Sequence, residues 1–143
     1  MDELRITTEA AELDVPLIHR FLSEESAWAR GIPLSMVEES IRHSLNFGLF
    51  ADSGQVAYAR VVTDYSTFAY LVDVFVLAEH RGKGYSAELM AAIMAHPRLQ
   101  GLRRFMLATS TAHGLYAKFG FTAPARPQTL MERFVPEAYA NRR

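Results

Sequence analysis

Apolar and polar residues alternate through Leu4-Arg5-Ile6-Thr7-Thr8, the period of a half-buried strand. The period then changes. Leu17, Ile18, Phe21 and Leu22 recur at helical spacing, behind Asp14 as a cap and Pro16 in a first-turn position. Gly31-Ile32-Pro33 interrupts the chain. A second helix follows on Met36, Val37, Ser40 and Ile41, with Ser35 and Glu38 spaced as a capping box. A β region comes next: an apolar run from Phe47 to Ala51, turn residues Asp52-Ser53-Gly54-Gln55, then Val56 to Val62. Thr67 to Leu77 is rich in β-branched and aromatic residues and predicts a long, largely buried strand. A polar glycine loop, Ala78 to Gly84, leads into a helix over about Ser86 to His96, ended by Pro97.

Arg104 to Thr109 predicts another strand. Ala112 to Phe119 predicts a short helix stopped by Gly120. Phe121-Thr122 and Thr129 to Phe134 are candidates for closing strands around the loop Pro124 to Pro127. The order β, α, α, three β, α, β, α, β, β predicts one α+β domain over residues 1–143, a sheet with helices on both sides.

Composition narrows the chemistry. The chain has 143 residues, half of them hydrophobic and 22% charged, as in a globular domain. Lys plus Arg is 15 and Asp plus Glu is 16, a net charge of −1. That disfavours broad electrostatic binding to nucleic acid or to an anionic membrane. There is no cysteine, which excludes disulfides, thiolate metal sites and a cysteine nucleophile. Met1-Asp2-Glu3-Leu4-Arg5 lacks the pattern of a signal peptide, and no apolar run is long enough to span a bilayer. The expectation is a soluble, cytoplasmic protein.

The most informative segment is Val74-Phe75-Val76-Leu77-Ala78-Glu79-His80-Arg81-Gly82-Lys83-Gly84-Tyr85-Ser86. A buried strand feeds a glycine-rich loop that opens directly onto a helix. Glycines let a ligand approach the backbone, and the helix start adds unpaired N–H groups and partial positive charge. Together with Arg81 and Lys83 this suits a phosphate or pyrophosphate. The bland alternative is a tight turn with two solvated cations. The P-loop pattern fails, because no Gly-Lys is followed by Ser or Thr at the required spacing. Gly82-Lys83-Gly84-Tyr85-Ser86-Ala87 fits the loose dinucleotide fingerprint. However, it follows a hairpin mid-chain, and no acidic residue ends a strand about 20 residues on.

These residues resemble the GNAT superfamily of acyl-CoA-dependent N-acetyltransferases. Arg81, Gly84 and Ser86 stand at the three positions of that family's pyrophosphate motif, with serine where Gly or Ala is usual. Leu115-Tyr116-Ala117-Lys118-Phe119-Gly120-Phe121 resembles its second motif; Thr109 stands where an asparagine often precedes the tyrosine. The resemblance covers nearly the whole chain. It implies an acyl-CoA N-acyltransferase fold, with a mixed, mostly antiparallel central sheet splayed between two strands. It also implies acetyl-CoA as co-substrate and a primary amine of a small molecule or peptide as acceptor.

By the same resemblance, Phe75 and Val76 supply backbone contacts to pantetheine. Arg81, Gly82, Lys83, Gly84, Tyr85 and Ser86 surround the pyrophosphate. Tyr116 is the general acid toward the coenzyme sulfur, the alternative being a tyrosine filling the core edge. The backbone N–H near Val76 is an oxyanion donor. Asp73, inside an apolar strand, is a candidate base, although a structural carboxylate bonded to backbone amides or Arg60 is the favoured reading. Trp28, in the loop between the first two helices, either walls a substrate pocket or plugs the helix junction. Asp64, Tyr65 and Tyr70 are further candidates for facing the site. Glu79, His80 and His113 read as solvated loop residues. The five histidines lack metal-ligand spacing, so no metal is expected.

Two other functions compete. One is a domain that holds acyl-CoA without transferring its acyl group. The other is a nucleotide-binding domain of a different kind. Phe134, Val135 and Tyr139 are candidates for a homodimer contact and, equally, for closing the fold.

Overall fold

A computed structural model describes residues 3–140; Met1 and Asp2 of the N-terminal segment read above lie outside the described residues. The alternating segment forms β1 (Arg5–Thr7). Asp14 caps α1 (Val15–Arg20), its Oδ1 accepting from the Leu17 N–H at 3.2 Å, with Pro16 in the first turn. The helix runs on into a wider turn, Phe21–Glu25, which buries Phe21 and Leu22. The second helix, α2 (Leu34–Arg42), starts earlier than the Ser35–Glu38 spacing predicts. Pro33 is its cap residue, and the Pro33 carbonyl accepts from both Met36 and Val37. Ser35 therefore lies inside the first turn and no capping box forms.

The predicted hairpin is present as β2 (Leu45–Ala51) and β3 (Gly54–Thr63). Gly54, opposite Ala51, has φ +122, a conformation only glycine adopts readily at such a turn. The long strand is β4 (Phe68–Val76), followed by α3 (Tyr85–Ala95), β5 (Arg104–Leu107) and α4 (His113–Ala117). The two predicted closing strands do not form: residues 119–126 and 130–135 are irregular, and Pro127–Thr129 is a single helical turn.

The sheet order is β1-β2-β3-β4-β5. All pairs are antiparallel except β4 with β5, which is parallel, as a strand–helix–strand crossover requires. One face packs on α3, whose Leu89, Met90 and Ile93 are fully buried among Phe47, Leu49, Val61 and Leu71. Each contributes roughly 1.5–3 kcal/mol of burial. The other face carries Tyr58 and Phe75 against α1 and α2. Tyr58 also hydrogen-bonds Asn46, whose Nδ2 donates to the Ile41 carbonyl at 2.9 Å, so the polar tip of this buried ring is satisfied. No helix among the described residues is long and apolar enough to cross a membrane.

Candidate active site

β5 follows β4 only as far as the pair Leu71 and Leu107. From Val72 to Val76, β4 has β3 on one side and, among the described residues, no strand on the other. The sheet is therefore open along the last half of β4. In that stretch the β3–β4 register shifts between the pairs Tyr58/Phe75 and Arg60/Val72, so Asp73 and Val74 together oppose Ala59. This is a β-bulge, and it places Asp73 at φ +58, a region Asp tolerates better than most residues.

Beyond the bulge, the Leu77 N–H donates to the Val56 carbonyl at 2.9 Å. Ala57 stands opposite Val76, and Tyr58 opposite Phe75. Antiparallel geometry then makes Tyr58 and Phe75 the mutually bonded pair. Phase alternation turns the Val76 peptide groups toward the opening, whereas Phe75 commits its own to β3. The Phe75 ring stacks on Phe21, centroids 4.0 Å apart, inside the α1–α2 core. Of the two residues expected to contact pantetheine through the backbone, Val76 has its N–H directed to the open side.

The glycine loop closes one end of the opening. Gly82 and Gly84 have φ +79 and +82, and nothing lies within 4 Å of where a Cβ would project from either. The loop thus bares its backbone on an open side. Gly84 is the cap residue of α3 and brings no side-chain cap to the first amides of the helix. Arg81 does not point freely to solvent: its Nε donates to the Val76 carbonyl at 3.0 Å, pinning the loop to the end of β4. Tyr85 is buried and anchors the helix start in the α3 core, while Lys83 is exposed. His80 is more enclosed than a solvated loop residue, because its Nδ1 is buried, with no hydrogen-bond partner among the described residues.

Tyr116 lies on α4, 9% exposed, with its ring against the core and edge-on to Phe121 at 6.3 Å. Burial raises its pKa above the ordinary phenol value, so the hydroxyl holds its proton at neutral pH. It lines a cleft of about 1020 Å³ together with the end of β5, including Leu107, Ala108 and Thr109. Thr109 Oγ1 accepts from the Ala112 N–H at 3.0 Å and so fixes the turn into α4.

Asp73 is buried, and both of its oxygens are engaged. Oδ2 accepts from Arg60 Nε and Oδ1 from Trp28 Nε1, each at 2.8 Å. Arg60 also donates to Ser44 Oγ at 3.0 Å. Trp28 is 51% exposed, so it is no plug of the helix junction; its indole N–H is tied to the bulge while much of the ring faces out. Sequence spacing named Trp28 and Asp73 separately and gave no sign that they meet. Asp64 lies elsewhere, at the opposite end of β4, where it accepts from the Ser66 and Thr67 N–H groups and the Thr67 hydroxyl in the β3–β4 turn. Tyr65 is in the same turn, its ring under the Arg98 guanidinium at 3.6 Å. Among the described residues, no group of three or more His, Asp or Glu is placed to hold a metal ion.

Comparison with known proteins adds an independent line. Residues 15–121 match the family model described as the acetyltransferase (GNAT) family. A Gibberella zeae protein, named as an inferred acetyltransferase, is 31% identical over 135 residues, covering 79% of this chain and 75% of its own length. A crystal structure from Xanthomonas campestris pv. campestris, titled as an inferred acetyltransferase of the GNAT family, is 61% identical. It covers 98% of this chain and 99% of its own, with a TM-score of 0.94. A Clostridium acetobutylicum structure, described as an inferred acetyltransferase with acetyl-CoA, shares the fold at 14% identity and a TM-score of 0.63. That match covers 94% of this chain and 96% of its own. The open sheet, the glycine loop and the buried tyrosine fall where these matches run, and the chain belongs to the acetyltransferase (GNAT) family.

Proposed function

We propose that this N-acetyltransferase moves the acetyl group of acetyl-CoA to a primary amine of a small molecule or peptide, by direct attack in a ternary complex. The observation that carries this reading is the opening along β4 from Val72 to Val76, with bare loop amides at one end and Tyr116 beside the end of β5. The amides of residues 82–86 and the positive end of α3 suit a pyrophosphate. The Val76 N–H, unpaired on the open side, suits an amide-bearing chain or a developing oxyanion.

The acceptor must arrive as a neutral amine. As its nitrogen bonds to the acyl carbon, the carbon–sulfur bond breaks and the sulfur needs a proton. Tyr116, kept neutral by burial, supplies that proton and recovers one from solvent. The Asp73 carboxylate already accepts from Arg60 and Trp28. Its role is to position Trp28 as a wall of the acceptor site, and the amine's surplus proton leaves through water.

The test is Tyr116→Phe, assayed by release of free CoA against a panel of amines. Loss of general acid catalysis lowers kcat by about 10²-fold or more, with acetyl-CoA affinity retained. Wild-type turnover in this variant, with the chemical step limiting, would overturn the assignment.

A further inference from the structure

On the sheet face that carries Tyr58 and Phe75, helices α1 and α2 cover only part of the strands. Residues paired across strands share a face, and so do residues two apart along a strand. Arg60 and Val62 therefore lie on this face with Tyr58, and their partners Val72 and Tyr70 lie there with them. β5 continues the row, because Met106 stands opposite Tyr70. Phe68, two residues before Tyr70 on β4, belongs to the same face. The phase is consistent with the opposite face, where Val61, Ala69 and Leu71 enter the α3 core.

Val62, Tyr70 and Met106 thus run in a row across β3, β4 and β5, flanked by Val72 and Phe68. Under a packed helix such side chains are buried. Here Val62 is 42% exposed and Phe68 38%, while Tyr70, Val72 and Met106 are half-buried. None of these packs into the α1–α2 core. The result is an uncovered apolar shelf, and apolar side chains gathered in one exposed patch mark a binding surface.

The shelf is continuous with the opening along β4. Val72 belongs to both, since β5 leaves β4 just before it. Beside Val72, Asp73 Oδ1 accepts from Trp28 Nε1 at 2.8 Å, which brings the half-exposed indole to the end of the shelf nearest the opening.

Charge narrows the occupant. Asp73 is the one carboxylate on β3, β4 and β5, and Arg60 Nε already donates to it at 2.8 Å. Asp64, in the turn beyond Phe68, is engaged by the Ser66, Thr67 and Phe68 N–H groups. Arg104, opposite Phe68, is an exposed cation. These strands therefore offer no ionic partner to a polyamine and few polar groups to a sugar amine. They offer apolar and aromatic area.

Resting on the acetyl-transfer reading above, we propose that the acceptor is an arylalkylamine. Its ring lies on the shelf of Val62, Tyr70 and Val72, against Trp28, and its short alkyl arm carries the amino group to the open flank of β4.

Trp28 is the sole tryptophan, so its fluorescence reports the shelf without turnover. In the full chain saturated with CoA, phenethylamine shifts Trp28 emission to the blue and shields it from acrylamide, saturably. Butylamine, spermidine and glucosamine at the same concentrations do neither. In the transfer assay, kcat/KM for phenethylamine exceeds that for each of these amines by about tenfold or more, the effect of burying one phenyl ring. Val62→Asp raises the KM for phenethylamine by a similar factor, and Val62→Leu keeps the wild-type value. Calorimetry with acetyl-CoA checks that both variants are folded. An unresponsive Trp28, or an unchanged KM in Val62→Asp, overturns the proposal. So does Trp28 emission that shifts with protein concentration alone, because a second copy then covers the face. Preferred acetylation of spermidine or glucosamine overturns the shelf and leaves acetyl transfer standing. Failure to bind acetyl-CoA, with the Trp28 response to phenethylamine intact, strikes acetyl transfer and not the shelf.

Discussion

Replacing Arg60 with methionine leaves the Asp73 carboxylate 7% exposed and without its cation. Breaking a buried pair by removing one partner costs about 3–5 kcal/mol. Two features of this pair favour the lower end. The Arg60 side chain keeps 17% exposure, and the Trp28 N–H still serves the carboxylate. A loss of about 3 kcal/mol corresponds to roughly 6–12 °C in Tm for a domain of this size. Asp73→Asn is the matched probe, since it removes the charge and asparagine tolerates φ +58. In the Arg60→Met/Asp73→Asn double variant no unpaired buried charge remains. The double variant should then be more stable than the sum of the single losses by at least about 1 kcal/mol. Thermal melts of the four proteins measure this coupling. If Arg60→Met shifts Tm by less than about 2 °C, or if the two losses simply add, the pair is not the anchor of the bulge.

Other outcomes follow from the same geometry. Gly84→Ala meets open space, so its cost is backbone strain at φ +82, about 1–3 kcal/mol; it also weakens acetyl-CoA binding measured by calorimetry, because it disturbs the amides at the start of α3. Asp64 is held below the usual carboxylate range, first by the Thr67 hydroxyl and then by the Thr67, Ser66 and Phe68 N–H groups. Its stabilisation is present above the unfolded carboxylate pKa and is lost as pH falls toward the depressed folded value. Melts of wild type and Asp64→Asn should therefore differ most near neutrality, and the difference should shrink steadily as pH falls below about 5.

Features governed by residues near one another were legible in the sequence. The glycine loop, the hairpin turn and the Asp14 cap each depend on conformational needs that Gly54, Gly82, Gly84 and Asp14 meet locally. The α+β order and the motif around Tyr116 followed from periodicity and from resemblance to a family. Features that depend on distant partners were not legible. Trp28 and Asp73 are 45 positions apart, and their hydrogen bond exists only because the bulge turns Asp73 toward the loop after α1. Arg81 carried the signal of an anion ligand, yet its Nε holds the Val76 carbonyl, a contact set by how the loop folds back on β4. The Ser35–Glu38 spacing was overruled because the Pro33 carbonyl already starts the helix. Thr129 to Phe134 has the pattern of a strand, but pattern alone does not supply a neighbouring strand, and residues 130–134 are irregular.

The central claim is tested most directly by titrating the purified protein with acetyl-CoA in a calorimeter, with NAD and ATP titrated in parallel. The account predicts saturable binding of acetyl-CoA and none of either nucleotide at the same concentrations, since the open flank of β4 suits the amide-bearing pantetheine arm as well as the pyrophosphate. At 100 times the dissociation constant, acetyl-CoA should also add about 2.7 kcal/mol of apparent stability. No heat at millimolar acetyl-CoA, or equal binding of all three ligands, would contradict it.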